Sequence, residues 1–141
     1  MSTLFTKIID GEIPGRFVWS DERCVAFLSI NPLGPGHTLV VPREEVDQWV
    51  DASPELLAHL TAVSHDIALV VRELWQPPRV AFLVAGFEVP HLHLHVYPAW
   101  DMAAFDFRNA AREVDGAEQD AIAERLRGAL RAAGHGEHVP A

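Results

Sequence analysis

The chain is poor in cysteine and in long apolar runs. Cys24 is the only cysteine among its 141 residues, which excludes an intrachain disulfide and a zinc site of the usual thiolate kind. No apolar stretch approaches the roughly 20 residues of a membrane span. Asp10 and Glu12 interrupt the N-terminal stretch before the apolar core of a signal peptide could form. We therefore expect a cytoplasmic protein without membrane contact, in which Cys24 is a small core residue.

Basic side chains are also few. The sequence has 11 Lys and Arg against 20 Asp and Glu, which gives a formal charge of −9. This balance argues against nucleic-acid binding, which depends on neutralising many phosphates. A small anionic ligand is still compatible, because a few backbone N–H groups or an imidazolium can hold one phosphate.

Apolar periodicity and turn-forming residues predict a single α+β domain over 1–141. Short connections between the strands favour an antiparallel sheet with helices packed on it. The core is expected over 3–100, followed by a loop and helix over 101–134 and a frayed tail over 135–141. We expect helices over 3–10, 54–75 and 118–132, and strands over 17–19, 24–30, 37–41, 80–85 and 91–97, of which 80–85 is continuously apolar and therefore buried.

Histidine is concentrated in one short run, HLHLHVY over residues 91–97. Successive side chains of a strand point to opposite faces. The apolar members should therefore face the core, while His91, His93 and His95 line up along a surface or cleft. Histidine is only an intermediate choice for burial, so ordinary packing explains this run poorly.

The residues alone leave three interpretations of the run open. The histidines could lie on an exposed strand face without any function. They could bind a metal, in which case two of them would share the ion, because the outer pair is about 13 Å apart; a third ligand would come from His37, Glu88 or Asp101. They could act in nucleophilic catalysis, because neutral imidazole is a good nucleophile near pH 7.

Nucleophilic catalysis assigns a role to each histidine of the run. His93, in the middle, would attack, while His91 and His95 hold its tautomer or supply a proton. Adjacent imidazoliums repel each other, so the row should carry few protons at neutral pH. Phosphorus is the fitting electrophile, because its transition state places negative charge on oxygens that nearby donors stabilise.

The run over 91–97 resembles the motif of the histidine triad (HIT) superfamily, in which three histidines alternate with apolar residues. The similarity extends over about residues 3–100. The segment 4–14 (LFTKIIDGEIP) resembles the N-terminal helix of the family, and 27–32 (FLSINP) and 35–42 (PGHTLVVP) resemble its central hairpin. The resemblance implies a nucleotide-binding α+β fold, without a cofactor, and a homodimer as in the phosphoramidase-like branch.

The resemblance also implies a reaction and a set of site residues. Relatives cleave a nucleoside phosphate at the α-phosphorus through a covalent nucleotidyl-histidine. By position, His93 would be the nucleophile, His91 and His95 would support it and contact phosphate, and His37 would be oriented toward them. The base of a purine nucleotide or nucleotide conjugate would lie between four apolar residues, namely Phe5, Ile8, Phe27 and Ile30.

Several positions depart from the family pattern near the expected phosphate and ribose. Gly86-Phe87 stands where many relatives have Gly-Gln, so the amide that contacts phosphate is missing, and Phe87 is expected to contact the substrate in its place, together with Ser29, Asn31 and Glu88. Glu88 stands where relatives often have serine, and an acid there would attract a cationic leaving group, donate a proton or face solvent. Ser29 replaces the carboxylate that commonly holds the ribose hydroxyls, with Asn31 near it.

Two further departures concern an amide and a metal site. Val80 replaces an asparagine that is common in phosphoramidases. Thr3 and Thr6 replace the cysteine pair that binds zinc in some relatives, so no structural metal is expected. The sequence thus predicts a HIT-type hydrolase of nucleoside phosphoramidates, anhydrides or esters. A nucleotidyltransferase with the same intermediate and a nucleotide-binding module with little turnover remain as alternatives.

Overall fold

The computed structural model describes residues 2–141, and it begins with a short helix, α1, over Leu4–Ile9. The Thr3 hydroxyl caps α1 by accepting a hydrogen bond from the backbone N–H of Thr6 at 3.1 Å. Gly11 follows with a φ of 82°, a conformation in which glycine has no Cβ penalty. The predicted helix over 3–10, with Gly11 as its stop, is therefore confirmed.

Five antiparallel strands form a single sheet. The Asp21 carboxylate closes the turn between the first two strands, because its Oδ1 accepts from the backbone N–H groups of Arg23 and Cys24. This sheet confirms the predicted α+β architecture. The strands are β1 (Phe17–Ser20), β2 (Cys24–Leu28), β3 (Thr38–Pro42), β4 (Arg79–Leu83) and β5 (Leu94–Ala99). Their order across the sheet is β1-β2-β3-β5-β4.

Two long helices, α2 over Pro54–Trp75 and α3 over Gly116–Leu130, pack with one face of the sheet. Ser53 caps α2 and Asp115 caps α3, each by accepting from a backbone N–H in the first turn. The main core lies between these helices and the sheet and contains Leu56, Leu60, Val63, Ile67, Val70, Val71, Leu92, Leu94, Val96, Ala123, Leu126 and Leu130. None of the helices within residues 2–141 has the length and apolar character needed to cross a bilayer.

The opposite face of the sheet carries a smaller apolar cluster and leaves room for a site. Helix α1 places Phe5 and Ile8 against Phe27 and Leu39 of the sheet. Because α1 is so short, it covers only part of this face. The rest borders a cavity of about 820 Å³.

The structure corrects three expectations about individual segments. The apolar strand predicted over 80–85 is not buried: β4 is the edge of the sheet, with one partner strand, and Phe82 is 52% exposed. The histidine strand begins at Leu94, because only residues from there pair with neighbours, although the alternation extends back to His91. The tail after Gly134 does not fray in this structure, because His138 stacks on Trp19 with ring centroids 4.9 Å apart.

Candidate active site

The alternation along β5 separates the core from the cavity. Leu92, Leu94 and Val96 belong to the main core, whereas His93 and His95 line the cavity on the other side of the sheet. His37, at the start of β3, lines it as well. The other lining residues include seven predicted to bind substrate, namely Phe5, Ile8, Phe27, Ser29, Ile30, Asn31 and Glu88.

His93 has one nitrogen held by the backbone and one nitrogen left for the cavity. Its Nδ1 lies 2.7 Å from the carbonyl oxygen of His91, and since a carbonyl only accepts, Nδ1 carries the proton. No described residue donates to or accepts from Nε2 of His93. The neutral ring therefore presents an unprotonated Nε2 to the cavity, which is the form of imidazole that attacks an electrophile.

His37 and His95 are linked by a hydrogen bond, and the backbone N–H of Leu33 determines which nitrogen of each ring carries the proton. The backbone N–H of Leu33 donates to Nδ1 of His37 at 2.9 Å, so the proton of His37 is on Nε2. That Nε2 lies 2.9 Å from Nδ1 of His95, which accepts, so the proton of His95 is also on Nε2. This N–H is the one buried side-chain polar atom without a partner among the described residues. An orphaned donor on a residue that lines the cavity is placed to bind a ligand oxygen.

Burial keeps these histidines neutral near pH 7. It lowers the pKa of His37 to about 3, with help from the neighbouring His95 and His93, and it lowers the pKa of His95 to about 4, with help from His93. Burial also lowers the pKa of His93, and the charge of His91 adds to this, whereas the hydrogen bond to the His91 carbonyl and the charge of Glu88 oppose it. The expectation that the row carries few protons is consistent with these shifts, although burial contributes more than repulsion.

The structure does not bring His91 to the cavity. Its ring is fully buried, its Nε2 donates to the Pro42 carbonyl at 2.7 Å, and its Nδ1 lies 2.7 Å from the Thr3 hydroxyl. Both nitrogens are therefore taken, and the expected contact between His91 and phosphate has no free donor to make it. His91 instead serves His93 through its backbone carbonyl.

An apolar wall lies beside His93. The ring of Phe5 stands edge-to-face on His93 with centroids 4.9 Å apart, and it packs against Phe27 at 5.5 Å. Ile8 continues the wall from the next turn of α1, and Ile30, 69% exposed, lies at its open edge. Flat aromatic and branched surfaces of this kind are suited to the faces of a heterocyclic base.

The remaining positions predicted to bind substrate are three polar residues that line the cavity and Phe87, which lies outside it. Ser29 and Glu88 line the cavity, and both are accessible to a ligand. Asn31 also lines it, but its amide donates to the carbonyls of Ala111 and Arg112 at 3.0 and 3.3 Å. Phe87 is 98% exposed and does not line the cavity, because the turn at Gly86 directs it into solvent. The predicted substrate contact of Phe87 is therefore not supported.

A segment over 102–112, here called the strap, closes one side of the cavity. Phe107 packs edge-to-face on His95 with centroids 5.3 Å apart, and Arg108, Ala110, Ala111 and Arg112 also line the cavity. The Tyr97 hydroxyl donates to the Ala104 carbonyl at 2.7 Å and fixes the base of the strap. The sequence pattern did not identify these residues, since the strap has only short helical turns and no periodicity. Arg16 and Asp120, paired at 2.8 Å, border the same side.

The histidines do not form a convergent metal site. In residues 2–141, the one group of three possible metal ligands whose atoms converge is Asp21, Cys24 and His59, which lies outside the cavity. Asp21 there accepts from Trp19 and His59, and these bonds, with those from the turn, outweigh burial and lower its pKa. Burial raises the pKa of the Cys24 thiol, as expected for a core residue. Asp101, one of the possible third ligands, instead caps a short helical turn.

Comparison with known proteins gives consistent matches. Residues 10–102 match the model of the HIT domain. An uncharacterized HIT-like protein of Methanocaldococcus jannaschii is 37% identical over 103 residues, which is 70% of this chain and 79% of that protein. Residues 103–112 of the strap and helix α3 lie beyond the matched domain, so the side of the cavity that they border is outside the part shared with the family model.

Solved structures resemble most of the chain. A hypothetical histidine triad nucleotide-binding protein from Sulfolobus tokodaii has a TM-score of 0.80 and 26% identity, and the match covers 91% of each chain. A HIT family hydrolase from Legionella pneumophila has a TM-score of 0.63 and 30% identity, covering 72% of this chain and 96% of that one. The fold is thus shared with these structures.

Proposed function

Because the chain belongs to the HIT domain family, we propose that it is a nucleotide hydrolase that cleaves a nucleoside phosphoramidate, anhydride or ester at the α-phosphorus through a nucleotidyl group on His93. The observation that carries this proposal is the tautomer of His93. The backbone carbonyl of His91 holds its proton on Nδ1, and Nε2 is left unprotonated at a cavity. The names of the Sulfolobus and Legionella proteins, a nucleotide-binding protein and a hydrolase, support the same class.

The first step transfers the nucleotidyl group to the ring. The Nε2 lone pair of His93 forms a bond to phosphorus, and the bond from phosphorus to the leaving group breaks with its electron pair. The ring then bears positive charge, with Nε2 on phosphorus and Nδ1 still protonated. The 2.7 Å hydrogen bond from Nδ1 to the His91 carbonyl strengthens as this charge develops. In the second step water attacks phosphorus and gives up one proton to solvent at the open side of the cavity, while the bond from phosphorus to Nε2 breaks and His93 leaves as neutral imidazole.

His95 stabilises phosphoryl oxygen in this proposal and does not supply the proton of the leaving group. Its Nδ1 accepts from His37, so loss of the Nε2 proton would leave an imidazolate. A second proton on the pair is opposed by burial, which lowers the pKa of His95 to about 4. The orphaned Nε2–H is instead suited to donate a hydrogen bond to the oxygen that gains charge. The leaving group then takes its proton from water at the open side of the cavity.

The apolar wall and the cavity volume support a nucleotide as the substrate. A cavity of about 820 Å³ is within the range of about 300 to 1,000 Å³ that small-molecule sites occupy. We propose that the base, with a purine as the expected one, lies against Phe5, Ile8, Phe27 and Ile30, and that the ribose reaches Ser29. Serine is a neutral partner for ribose hydroxyls, so this end of the site should bind less tightly than a carboxylate would.

The experiment that tests the function is a mass measurement of the intact protein after brief exposure to a set of adenosine and guanosine phosphoramidates, anhydrides and esters. We expect an acid-labile adduct of one nucleoside monophosphate, which is absent in His93→Ala. Turnover of the same substrates by His93→Ala at the wild-type rate would contradict the proposal. Added phosphate or sugar phosphate tests the transferase alternative, since a transferase would form the corresponding nucleotide conjugate. Tight binding without an adduct or product would favour a binding module.

We also propose that the protein is a homodimer in which the two β4 edges pair. β4 leaves one side of its backbone unpaired, and its apolar side chain Phe82 is exposed, which is unfavourable for an isolated edge strand. Light scattering should give the mass of two chains for the wild type and of one chain for Phe82→Lys.

The cytoplasmic location stays a prediction, which fractionation of the source cells would test.

A further inference from the structure

A line of short hydrogen bonds leads from a surface carboxylate to the buried ring of His91. Oε1 of Glu45 accepts from the Thr6 hydroxyl at 2.6 Å and from the backbone N–H of Thr3 at 3.1 Å. The backbone N–H of Thr6 donates to the Thr3 hydroxyl at 3.1 Å, and that hydroxyl lies 2.7 Å from Nδ1 of His91. The distance of 2.6 Å is typical of a hydroxyl bonded to an ionised carboxylate.

The line continues from the ring of His91 to the nucleophile. The Pro42 carbonyl holds the other nitrogen of His91 at 2.7 Å, so the ring is fixed from both sides. The backbone carbonyl of the same residue accepts from Nδ1 of His93 at 2.7 Å. A displacement of His91 would therefore move the acceptor that determines the tautomer and aim of His93.

The same contacts fix the wall of the cavity. Thr3 and Thr6 are the cap and the third residue of α1, and Glu45 joins both to the segment after β3. Phe5, between them on α1, touches both His91 and His93, with ring centroids 5.9 and 4.9 Å apart. One network thus orders the helix that faces the base and the residue that faces phosphorus.

We propose that Glu45 is a positioning residue for His93, acting through Thr6, Thr3 and His91. This inference rests on the proposed function, because it concerns the aim of the nucleophile. Glu45 is itself exposed and outside the cavity, so it reaches neither the substrate nor the reacting atoms. Hydrogen bonds from the Thr6 hydroxyl and the Thr3 backbone lower the pKa of its carboxyl, which keeps the carboxylate ionised as an acceptor for both groups at neutral pH.

The test compares Glu45→Ala with Glu45→Gln and with the matched control Glu44→Ala. Glutamine keeps an oxygen that accepts from Thr6 and Thr3, whereas alanine removes it. Glu44 is the exposed neighbour, and its substitution makes the same change in charge outside the network. A Thr3 substitution would also remove the cap of α1, so the variants are placed at Glu45.

We expect Glu45→Ala to lower kcat about tenfold with a change in KM of less than about twofold, because misplacement of a reacting group affects the chemical step. Glu45→Gln should recover most of the rate, and Glu44→Ala should behave like the wild type. Thermal unfolding of each variant shows whether the fold is retained. A Glu45→Ala enzyme with wild-type kcat, or one no slower than Glu44→Ala, would overturn the proposal.

A second measurement is independent of turnover. Two-bond proton–nitrogen NMR spectra report which ring nitrogen carries the proton. In the wild type we expect His93 to be protonated on Nδ1, and in Glu45→Ala to be a mixture of the two tautomers. If Glu45→Ala shifts the His93 tautomer but the wild type turns over no substrate, the proposed reaction fails while the positioning role stands. If Glu45→Ala leaves the His93 spectrum unchanged, the positioning role fails whatever the activity.

Discussion

Nε2 of His37 lies 2.9 Å from Nδ1 of His95, and this contact determines which nitrogen of His95 carries a proton. His37 can donate there because its own Nδ1 is occupied by the backbone N–H of Leu33. The proton of His95 is thereby left on Nε2, which has no partner within the described part of the chain. The backbone N–H of Leu33 therefore determines, through His37, that His95 has a buried N–H donor beside the proposed nucleophile.

A substitution of His95 should distinguish a hydrogen-bond donor from a proton donor. We expect His95→Ala to lower kcat/KM by roughly 100- to 1,000-fold, as for removal of one donor to a developing oxyanion. The loss should be similar for a nitrophenol leaving group, which needs no proton, and for an alkylamine, which does. Steady-state rates with a series of nucleoside monophosphate esters and amidates provide the measurement. A loss confined to the amine would show that His95 transfers a proton.

The pH dependence of activity follows from the lowered pKa values. His93 must be neutral to attack, and burial lowers its pKa below the ordinary value of 6.5. His95 and His37, with pKa values of about 4 and about 3, are also neutral at pH 6.5. Protonation of His93 as the pH falls removes activity, so the acid limb of kcat/KM should lie below pH 6.5.

This profile should be measured with an aryl ester of a nucleoside monophosphate, whose single phosphate charge does not titrate in the range. Unfolding at each pH serves as the control, because the same lowered pKa values make the folded protein less stable as the pH falls below 6.5. An acid limb at or above pH 6.5 in folded protein would mean that His93 is not held neutral by burial.

The sequence predicted the alternation over 91–97 because alternation depends on local rules, but it was wrong in aligning His91 with His93 and His95 along the cavity. Alternation in an extended chain places Leu92, Leu94 and Val96 in the core, and this holds even where β5 has not yet begun pairing. Tautomers could not be predicted in this way. They depend on which carbonyl or N–H lies beside each ring, such as His91 O for His93 and Leu33 N for His37, and these are contacts of tertiary structure.

The two main failures have different physical causes. Continuous apolar residues over 80–85 predicted a buried strand, but apolar composition does not determine how many neighbours a strand has, and β4 lies at the edge of the sheet with Phe82 exposed. The strap was not recognised because its short turns carry no repeated apolar spacing. Individual side-chain hydrogen bonds hold it, from Tyr97 to the Ala104 carbonyl and from Asn31 to the carbonyls of Ala111 and Arg112. Sequence periodicity does not predict such contacts.

Asn31 is a point at which substrate binding and strap anchoring make opposite predictions. We expect Asn31→Asp to raise KM and to increase amide hydrogen exchange over 102–112. Aspartate has no N–H to donate, and its charge would repel the carbonyl oxygens of Ala111 and Arg112, which lie 3.0 and 3.3 Å from the present amide. If Asn31 instead bound ribose hydroxyls, the carboxylate would be the better acceptor. A lower KM with unchanged exchange would therefore support the ribose role.

Glu88 should select among leaving groups by charge. It lines the cavity together with His93, and its charge acts to raise the pKa of that ring, so the carboxylate is within electrostatic reach of the proposed nucleophile. We expect Glu88→Gln to lower kcat/KM about two- to fivefold for an amidate whose leaving group carries a separate ammonium, in keeping with the small energy of exposed charge pairs. The rate with a neutral amine of similar basicity should stay the same or rise, because the carboxylate also repels the phosphate.

Salt and a distant charge provide the controls for this selectivity. The preference of the wild type for the ammonium-bearing substrate should weaken as ionic strength rises from 0.02 to about 0.5 M, since screening shortens the reach of exposed charges. Glu12→Gln removes the same charge from an exposed position outside the cavity and should leave the preference intact. Equal rate changes for both substrates in Glu88→Gln would place the carboxylate in solvent, with no part in choosing the leaving group.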